Sequence, residues 1–274
     1  GRGPGMVNRD PRESYHDRIA GRYEEVYRSH YWRLYREISW RHLARFLPRE
    51  RPARALDLGC GPGWFGARLL KAGLEVTFLD ISRAMVDQAR RTVAELGRPE
   101  PCRFVQADME RMEAVESGAY HFATAQGDTL SFTARPERAL KELHRVLRPG
   151  GRAVLSVDHK AAAARAYVTK GRLEELPRFL RDGRSQWLAR RPEERFPLRM
   201  VEPEELERMR RRQGFATLGL VGKLALFRRE DEKLLAATPR RRLVALEERV
   251  HARPHWLGLC HHFQVAVEKE GGTG

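Results

Sequence analysis

At 274 residues, with 41% hydrophobic and 32% charged side chains, the chain is long enough to bury a sizeable core in one enlarged domain, and no apolar run approaches the roughly 20 residues of a membrane span. Lys and Arg number 52 against 37 Asp and Glu, a formal charge of +15 that would attract phosphate backbones or anionic membranes if it gathered on one face. Three widely spaced cysteines, Cys60, Cys102 and Cys260, exclude a disulfide framework and a C-x-x-C pair, and with no charged-apolar-small leader the expectation is a soluble cytoplasmic protein.

Residues 6–50 read as helical. Tyr23, Tyr27, Tyr31 and Tyr35 recur at i, i+4 and would put four rings on one helical face that has to be covered. Next, Ala55-Leu-Asp-Leu-Gly-Cys-Gly-Pro-Gly63 reads as a buried strand ending in an acid and then a loop of alternate glycines, whose missing Cβ atoms admit a ligand to the backbone. Gly61-Pro-Gly-Trp-Phe-Gly66 also satisfies the dinucleotide pattern G-x-G-x-x-G, with Asp80 about 20 residues on. The acid before the first glycine argues the other way, for a ligand with a cationic end, because a pyrophosphate prefers a helix N-terminus free of negative charge.

Glu75–Asp80 is a second strand ending in an acid, and a helix follows at Arg83–Ala94. Phe104–Met109 is a third stretch carrying an acid, Tyr120–Asp128 a fourth strand with its loop, and a helix from Leu140, a Pro-Gly-Gly turn and a fifth strand through Val157 come next. Residues 159–200, broken by Gly171, Gly183, Pro192 and Pro197, read as short helices rather than sheet, standing over the strand ends where open α/β sheets bind ligands. Pro203–Gln213 is a charged helix stopped by Gly214, Phe215–Gly222 is the next strand, Arg241–Val250 a helix, and His262–Glu268 the last, antiparallel strand.

Together these stretches resemble the class I S-adenosylmethionine-dependent methyltransferases, whose glycine motif is D/E-x-G-x-G-x-G. The resemblance implies a Rossmann-like α/β fold with a mostly parallel seven-stranded sheet and helices on both faces. It divides the chain into an N-terminal helical cap (1–50), a cofactor-binding core (51–158), a lid insertion (159–200) and the rest of the core (201–274), with an insertion between the last two strands.

The implied cofactor is S-adenosylmethionine, held by Asp57, Gly59, Cys60, Gly61 and Gly63 of the loop. Asp80 would take the ribose and Asp108 face the adenine amino group, with Ile81, Met85, Ala107 and Met109 completing the cofactor-binding set. A carboxylate at Asp80 accepts from both ribose hydroxyls, which no other side-chain type does without donating. Each acid also has a plain structural reading, Asp57 capping the loop, Asp80 the helix at Arg83, and Asp108 a turn. Cys60 suits a small filler better than a nucleophile.

Gln126 and Asp128 lie in the loop beneath the reactive methyl, where Asp128 either orients an amine or caps the following short helix. Tyr15 and Tyr23 resemble the element that closes over cofactor and acceptor. His159, directly after the fifth strand, is the second catalytic candidate, because the ends of parallel strands point at the site. The histidines at 251, 255, 261 and 262 invite a metal reading, but Pro254 interrupts the helix that would align the first two and no further ligand completes a set. No metal is expected.

The expected reaction is methyl transfer to nitrogen or oxygen, or to carbon, of a small molecule. Neither the N/D-P-P-Y/F loop of base-amine enzymes nor the Pro-Cys of pyrimidine-C5 enzymes is present. Two other readings stay open, an RNA or other nucleic-acid methyltransferase using the arginines of 178–212 and 240–253, and a non-catalytic binding protein. No specific nucleic acid is expected as partner, since mixed Arg–Glu runs are ordinarily solvated helix faces.

Overall fold

Leu56 and Leu58 face one side of a sheet and Ala55 the other, and the same two-residue alternation in the neighbouring strands builds an apolar core on each face. The computed structural model describes residues 9–97, 101–187 and 190–271. Its strands are β1 (Arg54–Leu58), β2 (Glu75–Asp80), β3 (Cys102–Gln106), β4 (Tyr120–Ala125), β5 (Leu147–Asp158), β6 (Arg184–Trp187), β7 (Phe196–Arg199), β8 (Phe215–Lys223) and β9 (His262–Lys269). Seven of them form one sheet in the order β3-β2-β1-β4-β5-β9-β8. β1 to β5 pair in parallel and β9 runs antiparallel to both β5 and β8. This is the mostly parallel, doubly wound sheet that the resemblance implies.

α1 (Pro11–Ile19), α2 (Tyr23–Val26) and α3 (His30–Ala44) precede the sheet; α4 (Trp64–Lys71) follows β1, α5 (Arg83–Ala94) follows β2, and α6 (Pro136–Val146) precedes β5. α7 (Lys160–Thr169) and α8 (Leu176–Asp182) lead into the β6–β7 hairpin, and α9 (Pro203–Arg212) precedes β8. α10 (Glu232–Ala237), α11 (Arg240–Glu248) and α12 (Pro254–Leu257) lie between β8 and β9. Leu69 and Leu70 of α4 and Ala89 and Val93 of α5 cover one face of the sheet, while Leu140 and Leu143 of α6 and Leu206 and Met209 of α9 cover the other.

Two local expectations are corrected. The aromatic stripe does not lie on one helix, because the chain turns at Tyr27–Ser29 and restarts at His30, where Ser29 Oγ accepts the Trp32 amide at 3.4 Å and Glu232 accepts the His30 and Tyr31 amides at 2.7 and 3.2 Å. Tyr31 and Tyr35 therefore pack in a core with Leu34, Ile38, Leu224 and Phe227, while Tyr23 and Tyr27 pack on one another and meet that core through Trp32. The second correction is in 159–200, which holds the β6–β7 hairpin as well as helices. Pro197 is tolerated there because it stands exposed in a two-stranded sheet, opposite Gln186.

Among the described residues no helix is long and apolar enough to cross a membrane.

Candidate functional site

The three loop glycines all have positive φ (61°, 50° and 88°), a conformation that side chains resist, yet they serve different ends. A Cβ on Gly59 would strike Thr129 at 2.3 Å and one on Gly63 would press on Ala89 at 3.0 Å, whereas one on Gly61 meets nothing within 4 Å. Gly61 thus opens to a ligand. Gly63 instead lets α4 begin close against α5, and it lines neither chamber described below.

The three acids at strand ends differ as well. Asp80 is buried with Oδ2 accepting the Gly61 amide and Oδ1 the Ser82 amide, each at 2.9 Å, so one carboxylate fixes both the glycine loop and the start of α5. Burial raises its pKa, and His16 and the two amides offset only part of that rise. Asp57 is buried with Oδ2 on the Gly66 amide at 2.8 Å; burial pushes its carboxyl up to about 7, and Asp80 adds to the rise. Asp108 accepts the Glu110 amide at 2.9 Å and the Arg12 guanidinium at 2.5 Å, which draws α1 across its open side.

Two chambers meet here. The first, of about 610 Å³, is lined by Asp80, Ile81, Met85, Ala107, Asp108 and Met109, with Arg12 and His16 closing it from α1. The second, of about 1360 Å³, is walled by Tyr15, Tyr27, Trp32, Phe65, Trp187 and Leu198 and includes Asp57, Cys60, Asp128, Asp158 and His262. Tyr23, Gly59, Gly61, Gln126, Gly127 and Phe132 line both. Every cofactor residue expected from the sequence, Gly63 excepted, therefore lies on one chamber or the other.

The roof is built by α1 and the hairpin. Asp10 caps α1 through the Arg12 amide at 2.8 Å. Asp17 accepts Ser82 Oγ at 2.6 Å and the Ala84 amide at 3.0 Å, and Arg18 pairs with the buried Glu194 at 2.6 Å. Tyr15 stacks edge-on against Trp187 (5.5 Å) and Phe196 (5.9 Å), so the helix and hairpin share one aromatic seam.

Sheet register assembles a polar cluster on the wall of the second chamber. Asp158 of β5 and Lys223 of β8 both stand opposite His262 of β9, and such cross-strand partners share a face. His262 Nδ1 lies 2.8 Å from Asp128 Oδ2 and 3.2 Å from Asp158 Oδ1. Asp128, held at φ 63°, also accepts the Tyr35 hydroxyl at 3.0 Å and the Ser156 hydroxyl. Lys223 Nζ donates to Ser156 Oγ at 2.8 Å, to Tyr35 Oη at 3.1 Å and to Gln126 Oε1 at 3.3 Å.

These charges set one another's protonation. Burial works against the Asp128 carboxylate, but His262 and Lys223 hold it well below the usual range. Burial disfavours the His262 imidazolium, yet Asp128 and Asp158 raise it to about 9. Burial lowers the Lys223 ammonium to about 8 against the pull of the same two acids. Asp128, Asp158 and His262 offer ligand atoms within 4.8 Å of one another. Lys223, one hydroxyl away, already supplies positive charge there and works against a metal ion.

Asp128 is at the chamber as expected, but its oxygens are taken by Tyr35, Ser156 and His262. His159 is not at either chamber: its Nδ1 lies 3.0 Å from the Cys260 carbonyl and its ring packs edge-on against Phe263 at 5.5 Å. The strand end does point at the site, but through Asp158 rather than the residue after it. Arg12 and Lys223 escaped the sequence reading, and His262 was weighed there only as a metal ligand; a lysine ending an apolar strand was the available signal.

A methyltransferase domain model matches residues 55–151. Over 125 residues the chain is 37% identical to the S-adenosyl-L-methionine-dependent Diels-Alderase of Talaromyces variabilis, covering 45% of this chain and 42% of that protein. It is 37% identical over 132 residues to the malonyl-[acyl-carrier protein] O-methyltransferase of Pseudescherichia vulneris, 48% of each. The chain thus spans less than half the length of these curated relatives. An S-adenosylmethionine-dependent methyltransferase from Methanosarcina mazei, 20% identical, superposes with a TM-score of 0.59 over 84% of this chain and 97% of that one, a likeness of fold.

Proposed function

Residues 55–151 match a methyltransferase domain, and from that premise we propose that the chain is a class I S-adenosylmethionine-dependent methyltransferase that moves a methyl group to oxygen, nitrogen or carbon of a small molecule held in the aromatic chamber. The observation that carries this reading is the set of residues common to both chambers, Tyr23, Gly59, Gly61, Gln126, Gly127 and Phe132. A ligand in the first chamber ends where one in the second begins.

The residues fit the cofactor. A Cβ on Gly61 or Gly127 would meet no atom within 4 Å, and the Asp80 carboxylate is anchored by two amides beside the loop. When bound, S-adenosylmethionine supplies an electrophilic methyl on a sulfonium. This chain's part is to hold the acceptor in line and keep water out, which α1 and the hairpin do by roofing both chambers.

The enclosed aromatic wall supports a small acceptor over a nucleic acid, and part of the basic surface is internally paired. Arg210 and Arg211 both meet Glu207, Arg199 meets Glu205, and Arg191 meets Glu194. The named activity of the Talaromyces relative supports a second reading, a cyclase that keeps the cofactor as a fixed cation. Incubating the protein with methyl-labelled S-adenosylmethionine and cell extract separates the two, because methyl transfer yields a labelled product whereas cyclisation yields an isomer without label. We expect label in a small molecule, and loss of it in Asp80→Ala, which weakens S-adenosylhomocysteine about ten- to hundredfold through about 1.5–3 kcal/mol of lost charge-assisted hydrogen bonding.

A further inference from the structure

We propose that the acceptor is an organic anion, a flat apolar body carrying a carboxylate or comparable oxyanion, selected because the second chamber carries a guanidinium without a carboxylate partner, Arg229, while its Asp128 and Asp158 are already paired. This rests on the methyltransferase reading and names its substrate class.

The acids come first. Asp128, Asp158 and Asp57 are the carboxylates of this chamber, and each is already engaged. Asp128 accepts two hydroxyls and faces His262 at 2.8 Å; Asp158 faces the same imidazole at 3.2 Å; Asp57 accepts the Gly66 amide at 2.8 Å. Behind them Lys223 adds a further positive charge through Ser156 and Tyr35. An ammonium group on an acceptor would find Asp128 and Asp158 already balanced by His262 and Lys223, and Asp57 bonded to the start of α4.

The cations are differently placed. His262 lines the chamber but its charge is balanced by the two acids. Arg229 holds its guanidinium carbon 4.5 Å from the Trp32 ring centre and bonds the Tyr31 hydroxyl, is exposed, and has no carboxylate within 4.0 Å among the described residues. Glu247 fixes the segment leading to it by accepting the Ala225, Leu226 and Phe227 amides at 3.0, 2.8 and 3.2 Å. A guanidinium over an indole keeps further in-plane donors for a planar oxyanion. Tyr15, Tyr27, Trp32, Phe132 and Trp187 line the same chamber, faces suited to a flat apolar body.

Arg36 also lines the chamber, but it leans over Trp64 beside the glycine loop at 5.4 Å and would mix cofactor with acceptor effects, so the test leaves it unchanged. The full chain, saturated with S-adenosylhomocysteine, is titrated with 2-naphthoate, 2-naphthamide and 2-naphthylmethylammonium, binding being followed by calorimetry. Naphthoate should bind at least tenfold more tightly than the amide, with the ammonium weakest. Arg229→Met should bring naphthoate to the level of the amide while S-adenosylhomocysteine affinity stays unchanged, and Arg229→Lys should restore part of the preference. Equal binding of all three probes, preference for the ammonium, binding of none at millimolar concentration, or an unaltered preference in Arg229→Met would each overturn the proposal. Failure of the wild-type chain to bind S-adenosylhomocysteine would instead sink the methyltransferase reading beneath it.

Discussion

Asp57 shows how one residue ties the glycine loop to the charge of the ligand. Its carboxyl is buried beside Asp80 and titrates at about 7, so near neutral pH much of it is protonated in the free protein. The sulfonium of a cofactor brought to the glycine loop favours the carboxylate and expels that proton. Affinity for S-adenosylmethionine should therefore rise with pH up to about 7, by at most roughly tenfold per unit, and level off above it. Calorimetry near pH 7 in phosphate and in Tris, whose ionisation heats differ, should give different apparent enthalpies, and Asp57→Asn should remove the difference. Equal enthalpies in wild type would mean that Asp57 keeps its proton or never held one. Its position before the glycines was legible in the sequence because a run of small motifs marks it; its protonation was not, since that depends on Asp80 and on burial.

At the scale of elements, what the sequence showed depended on whether the caps were local. α5 spans Arg83–Ala94 as expected because its cap, Ser82, is adjacent and accepts the Met85 amide at 3.1 Å. The aromatic stripe was misread because the cap that restarts α3 comes partly from Glu232, 202 residues away from His30. The β6–β7 hairpin was missed because Pro192 and Pro197 mask a strand pattern that only tertiary contact with α1 completes. That contact makes the two elements one roof, joined by Arg18–Glu194 and the Tyr15 seam. Hydrogen exchange should thus rise in both when Arg18→Ala breaks the pair, and fall in both when S-adenosylhomocysteine binds. Protection confined to the 57–66 loop would show that α1 and the hairpin are ordinary packing elements.

For the molecule as a whole, the sequence shows how much charge there is but not where it is neutralised. Internal pairs such as Arg41–Glu248, Arg18–Glu194 and Lys160–Glu205 join residues far apart in the chain. Binding to duplex DNA or RNA should consequently be weak, sequence-blind and absent near physiological salt; retained submicromolar RNA binding there, with methyl transfer to that RNA, would favour the nucleic-acid reading. Overall stability should be governed at low pH by His42, at the junction of α3 and the sheet. Its Nδ1 lies 2.8 Å from Gln264 Nε2, and burial together with His251, Arg45 and Lys223 depresses it to about 3. Above the unfolded value near 6.5 both states are neutral at this position and nothing is lost. As pH falls below it, the unfolded chain takes a proton that the folded one refuses until about 3, so stability drops by up to about 1.4 kcal/mol per pH unit from this group. Urea unfolding at pH 7.5, 5.5 and 4.5 should then show a steeper decline in wild type than in His42→Asn, which starts less stable but has no imidazole to charge. Parallel curves for the two proteins would mean that His42 titrates alike in both states and that the acid limb belongs to other groups, His251 among them.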